Sequence, residues 1–171
     1  MHRKRSGNNK RKDGMADLVD KTEGTETTHV VDLNGEFRFK VDAKGRVSLP
    51  AKFRKVLATD LVVTLNPKDE CLYVFESAGF NSWVAKVFKD KFGGYDETDD
   101  LHVRLRRKLK ARAKDVEIDA SGRIMLPAEA REVVGIDKDV AVVGNTGYFE
   151  IWDAKRYEWQ DDDTDLRLLF G

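Results

Sequence analysis

Cysteine is almost absent from this sequence: Cys71 is the only one in 171 residues. A lone thiol excludes an intrachain disulfide and a cysteine metal cluster. Set within "CLYVF", Cys71 reads as a buried structural thiol rather than a nucleophile. Histidine is scarce too, since His2, His29 and His102 lie far apart and form no HExxH pair. No serine nucleophile elbow and no glycine-rich phosphate loop occurs. Asp42 and Asp119 are candidates for a carboxylate pair, but the turn and arginine beside each explain them better. These absences argue against an enzyme and leave no reason to expect a metal or cofactor. No apolar run approaches the ~20 residues needed to span a membrane. The basic N-terminus lacks the apolar segment of a secretion signal, so the expected setting is a reducing cytosol with no membrane partner.

Net charge is also missing, because 31 Lys and Arg balance 31 Asp and Glu. The balance hides segregation. Residues 1–14 carry six basic residues and one acidic one, and residues 104–114, "RLRRKLKARAK", carry seven basic residues and no acidic one. Residues 150–165 reverse the sign, with seven acidic and two basic. Binding responds to such local fields rather than to the total. The N-terminal stretch over residues 1–30 has little to bury and is expected to be a flexible extension.

What the chain does contain is a repeated phrase. "VDAKGRVSLPAKFR" at residues 41–54 returns as "IDASGRIMLPAEAR" at residues 118–131, a spacing of 77. Before the first copy, "GEFRFKVD" alternates Phe37, Phe39 and Val41 with charged residues, which predicts a strand with one buried face. "AKG" reverses the chain, with Gly45 free to take positive φ, and "RVSLP" resumes a strand with Val47 and Leu49 on one side. Pro50 then suits the start of a short helix that turns Phe53, Val56 and Leu57 inward. The second copy follows the same grammar, and "DLVVTL" and "LYVF" in the first half match "DVAVVG" and "FEIW" in the second. A lone unit has only a small apolar face, so the economical arrangement interlocks both copies around one core with approximate two-fold symmetry. The fold class is mainly β with short helices, α+β. The organisation is a first unit at 31–76, a helical region at 77–113, a second unit at 114–160 and a tail at 161–171.

In the helical region Ser77 is a candidate cap, and Phe80, Val84, Val87, Phe88 and Phe92 fall near one face. Next, Leu101, Leu105 and Leu109 form a packing stripe surrounded by Arg104, Arg106, Arg107, Lys108, Lys110 and Arg112. That basic surface fits secondary phosphate contacts, plain solvation or an acidic face of a neighbouring subunit. Trp83, Trp152, Trp159, Tyr148 and Tyr157 read as core or interface anchors rather than base-stacking residues. The terminal "LRLLF" is too short to assign, although its apolar side chains suit docking on a neighbour.

The repeated turns carry the functional signal. Lys44, Arg46 and Arg123 occupy comparable positions at turn tips or strand starts, where they can reach phosphates, and an arginine can present two donors to guanine. The alternative is local: Asp42 pairs with Arg46, and Asp119 with Arg123, to stabilise turns that Gly45 and Gly122 permit. Both roles can coexist if the aspartates order the loops for a ligand.

With both phrases and the flanking "VVG…FEIW", the chain resembles the MraZ family over approximately residues 33–160. The resemblance implies a duplicated, interlocked swapped-hairpin AbrB-like barrel, with each unit an AbrB-like repeat, and assembly as a ring-shaped homo-oligomer. It also implies a nucleoid-associated bacterial transcriptional regulator, typically a repressor, of the division and cell-wall gene cluster. The partner would be double-stranded promoter DNA with repeated sequence boxes. The family's DxxxR pattern falls on Asp42 through Arg46 and Asp119 through Arg123, with Lys44, Arg46 and Arg123 as implied DNA contacts. A ring-forming scaffold without specific DNA binding is the competing expectation.

Overall fold

Alternation in "EFRFK" yields β1 (Glu36–Lys40), which turns Phe37 and Phe39 toward the core while its charged residues face outward. The computed structural model describes residues 30–171, so the expected N-terminal extension lies outside the described residues except for Val30. After the first turn come β2 (Arg46–Ser48) and α1 (Ala51–Arg54), with Pro50 immediately before the helix. The β-branched run "DLVVTL" forms β3 (Asp60–Leu65), paired with β4 (Leu72–Glu76). Two helices follow, α2 (Ser77–Phe92) and α3 (Asp100–Arg112). The second half contributes β5 (Lys114–Glu117), β6 (Arg123–Met125), α4 (Ala128–Val133), β7 (Asp139–Gly144) and β8 (Phe149–Asp153). It closes with α5 (Ala154–Asp162) and a 3₁₀ turn at Leu166–Leu169.

The result is a mixed α+β fold in which the strand order crosses between the halves. One antiparallel sheet runs β1-β7-β8-β4-β3-β5, and β2 pairs with β6 as a separate ribbon. Phe37 sits opposite Val142, Leu61 opposite Val116, and Leu72 opposite Ile151 at the centre. Each edge strand therefore lies against a hairpin from the other half of the sequence. One apolar cluster spans both halves, uniting Val47, Leu49 and Phe53 with Ile124, Leu126, Phe149 and Ile151. Phe53 stands at its middle, with ring centroids 5.4 Å from Phe37 and 5.5 Å from Phe149. Cys71 is fully buried in a smaller cluster with Ala141 and Trp152.

Several local expectations are corrected. Helix α1 ends at Arg54, so Val56 points outward and is 51% exposed, while Leu57 still packs against the core. Ser77 does not cap α2. Glu76 precedes the helix, and its carboxylate instead accepts from the Ala58 N–H at 2.6 Å. Phe80, Val84 and Phe88 are buried as the spacing predicts, but Val87 and Phe92 are exposed. The leucine stripe on α3 is rotated: Leu109 packs inward, whereas Leu101 and Leu105 face solvent. His102 takes the inward position, its ring centroid 4.2 Å from that of Phe92 and its Nδ1 accepting from the Asp96 N–H. Trp159, expected as a core or interface anchor, lies outside the core of the chain.

Because Phe53 bridges strands from both halves, Phe53→Ala is expected to lower unfolding free energy by about 3–5 kcal/mol. The exposed Val56→Ala should change it by less than about 0.5 kcal/mol. Chemical denaturation of both variants measures the contrast.

Candidate nucleic-acid interface

Both repeated phrases build the same turn. Oδ1 of Asp42 accepts from the backbone N–H groups of Lys44 and Arg46, each at 2.9 Å, and its Oδ2 accepts from Arg46 Nε at 2.9 Å. The backbone closes the loop, with the Asp42 N–H donating to Arg46 O and the Gly45 N–H donating to Asp42 O. Asp119 repeats the pattern by accepting from the N–H groups of Ser121 and Arg123 at 2.9 and 3.0 Å. Gly45 and Gly122 have φ of +83° and +76°, the left-handed region that side chains disfavour.

The ribbon of β2 and β6 brings these turns together. Val47 lies opposite Ile124, and Ser48 opposite Arg123. The Leu49 N–H donates to Gly122 O and the Leu126 N–H to Gly45 O, both at 2.9 Å, so each turn is tied to the opposite half. Arg123 completes the junction: its Nε lies 3.3 Å from Asp119 Oδ2, and its Nη1 lies 3.4 Å from Asp42 Oδ2. The first of these contacts lacks hydrogen-bond alignment, leaving that Nε without a bonded partner among the described residues. Asp42 consequently serves two arginines. Its carboxyl is held below the ordinary range first by the Arg46 backbone N–H, with the Arg46 side chain and the Lys44 N–H assisting against desolvation. Asp119 is lowered chiefly by the Arg123 backbone N–H. Engaged in this way, the carboxylates act as acceptors that shape the loops.

Lys44, Arg46, Arg123, Asp42, Gly45, Asp119 and Gly122 thus occur in one paired arrangement. Two further residues join it. The Arg131 guanidinium lies over Gly45, where an added methyl would stand 2.8 Å from its Nη2, and the Arg54 guanidinium covers Gly122. Each arginine comes from the half opposite to the glycine it covers. Sequence reasoning passed over both, although Arg54 and Arg131 end the two 14-residue phrases at the same offset. The basic helix occupies a different setting. Lys110 bonds Asn81, Arg106 stacks 3.5 Å above the Tyr95 ring centroid, and Arg112 pairs with Asp69. Arg104, Arg107 and Lys108 form no ion pair among the described residues.

The site is thus a pair of cationic turns on an α+β scaffold, with carboxylates that order the backbone beneath them. The chain belongs to the MraZ family. A family model described as "MraZ protein, putative antitoxin-like" matches residues 33–102 and 109–166. The chain is 40% identical over 119 residues to "Transcriptional regulator MraZ" of Saccharopolyspora erythraea, covering 70% of this chain and 79% of that protein. It is 36% identical over 124 residues to the protein of the same name from Lachnoclostridium phytofermentans, covering 72% and 83% respectively. The Legionella pneumophila protein of that name is 30% identical over 135 residues, covering 74% of this chain and 86% of its own. These relatives are named as regulators and not as enzymes.

Replacing Gly45 or Gly122 by alanine is expected to cost about 1–2 kcal/mol for the left-handed backbone, measured by thermal or chemical unfolding. The aspartates set a pH dependence. Their folded pKa values are lowered, so their contribution is complete above the ordinary value of 3.8 and is lost as pH falls through the lowered values. Amide resonances of Lys44, Arg46, Ser121 and Arg123 should hold steady from neutral pH to about pH 5 and shift together only in stronger acid.

Proposed function

We propose that this chain is a sequence-specific DNA-binding transcriptional regulator, a repressor of the bacterial division and cell-wall gene cluster. The observation that carries the reading is the junction of the two DxxxR turns, in which Asp42 and Asp119 order the backbone beneath Arg46 and Arg123. Preformed loops lower the conformational cost of contacting a ligand. The two arginines can read base edges or phosphates, and exposed Lys44 adds a phosphate contact to the first turn. Arg54 and Arg131 extend the basic surface across the same ribbon. The regulator name of the relatives supports the assignment.

The strand exchange between halves supports an interlocked swapped-hairpin AbrB-like barrel made from units at residues 31–76 and 114–160. In this reading the helices at 77–113 and the tail at 161–171 serve assembly rather than base recognition. A ring of such subunits would meet repeated promoter boxes with many weak contacts, and effective concentration would make the sum selective. The operating site is double-stranded promoter DNA in the nucleoid. No cofactor enters the mechanism.

The purified protein is expected to bind promoter fragments carrying repeated boxes more tightly than scrambled DNA, with affinity falling steeply as salt rises. Arg46→Ala combined with Arg123→Ala should abolish the promoter preference, each lost base contact weakening discrimination by about 1–3 kcal/mol. Lys44→Ala should weaken both DNAs alike and reduce the salt slope by about 1. Equal binding of promoter and scrambled DNA at every salt concentration would overturn the regulator reading. A stable assembly that retained no specific DNA would favour the scaffold instead.

A further inference from the structure

We propose that the C-terminal segment of one copy docks on the exposed flank of α3 of a second copy. This inference rests on the multimeric reading above and identifies the contact that builds it. The donor surface is the segment that follows α5. Its 3₁₀ turn is ordered by Asp165, whose side chain accepts from the Arg167 N–H, yet Leu166, Leu168, Leu169 and Phe170 are 68%, 86%, 76% and 86% exposed. Exposed apolar side chains at such close spacing mark an interaction surface. Just before them, α5 and its C-terminal extension carry Glu158, Asp161, Asp162, Asp163 and Asp165.

The acceptor surface has the complementary pattern. Leu101 and Leu105 stand one helical turn apart on the exposed flank of α3, 48% and 39% accessible, with Arg104 and Lys108 beside them. Arg104, Arg107 and Lys108 lack ion-pair partners among the described residues, so the cationic surface is open to an acidic segment. Leucine and phenylalanine meeting this surface would bury apolar area, while the aspartates would face arginine and lysine.

The contact is between copies. Helix α2 packs on β3 and β4, whereas α5 packs on β7 and β8. The exposure of Leu166–Phe170 shows that this segment is not seated on its own chain. Helix α5 follows β8 as α2 follows β4, with nine residues in place of sixteen. Two different surfaces on each copy make a heterologous contact, which generates a ring when its rotation closes.

Sedimentation of the full chain tests the contact without DNA. Wild-type protein should assemble, whereas a tail variant with Leu168→Ser, Leu169→Ser and Phe170→Ser should sediment as monomer. A receptor variant with Arg104→Glu, Arg107→Glu and Lys108→Glu should do the same. Mixing the two should produce 1:1 heterodimers, because each retains the surface the other lacks. Unchanged assembly of either variant, or a mixture that remains monomeric, overturns this contact. Wild-type protein that is monomeric at every concentration overturns the multimeric reading together with it.

Discussion

The antiparallel pairing of β2 with β6 is the constraint on which the candidate site depends. Each strand has three residues, too few to be stable as an isolated hairpin. Burial holds the pair in place, because Val47 and Ile124 face each other at 0% and 1% exposure, flanked by buried Leu49 and Leu126. Arg46 and Arg123 begin these same strands. With a side-chain period of two, the register that buries Val47 and Ile124 also turns the neighbouring arginines away from the core. A one-residue slip would interchange the two sets. Apolar packing therefore determines where the cationic groups can point.

The turn ion pairs have a different task from the core. Arg46, Arg123, Asp42 and Asp119 remain between a quarter and two-fifths exposed at the side chain. Pairs in that setting contribute modestly to stability because water and salt screen them. The bonds from Asp42 and Asp119 to backbone N–H groups matter for shape: they satisfy donors that the tight turn leaves without a sheet partner. Stability comes from Phe53, Phe149 and their apolar neighbours, while the polar network fixes loop geometry.

The sequence made some of this organisation legible because its signals are local. Alternating Phe37 and Phe39, the Gly45 and Gly122 turns and buried Phe53 all follow from short-range patterns. Repetition also exposed the relation between Asp42–Arg46 and Asp119–Arg123. The cover of Gly45 by Arg131 and of Gly122 by Arg54 was not legible in that way, since it needs the cross-half pairing of β2 and β6. Helix α3 misled for a geometric reason. Leu101, Leu105 and Leu109 form a spaced row, but packing selects the flank containing His102 and Leu109 and leaves the other two leucines outward. Spacing identifies a potential apolar flank; tertiary contact decides which portion is buried.

Approximate repetition does not make the two turns chemically equivalent. The first has Lys44 and a close Asp42–Arg46 pair, whereas the second has Ser121 and an arginine shared between two carboxylates. Among the described residues Asp42 pairs with both Arg46 and Arg123, while Asp119 pairs with Arg123 as its one cationic partner. The first carboxylate therefore helps order the arginine of the second half, and the geometry of one turn depends on the other. Similar backbone traces create a paired surface, but their side chains give it a direction. That asymmetry follows from placing Lys44 and Ser121 on opposite members of an otherwise repeated turn, with Arg123 joining their supporting aspartates.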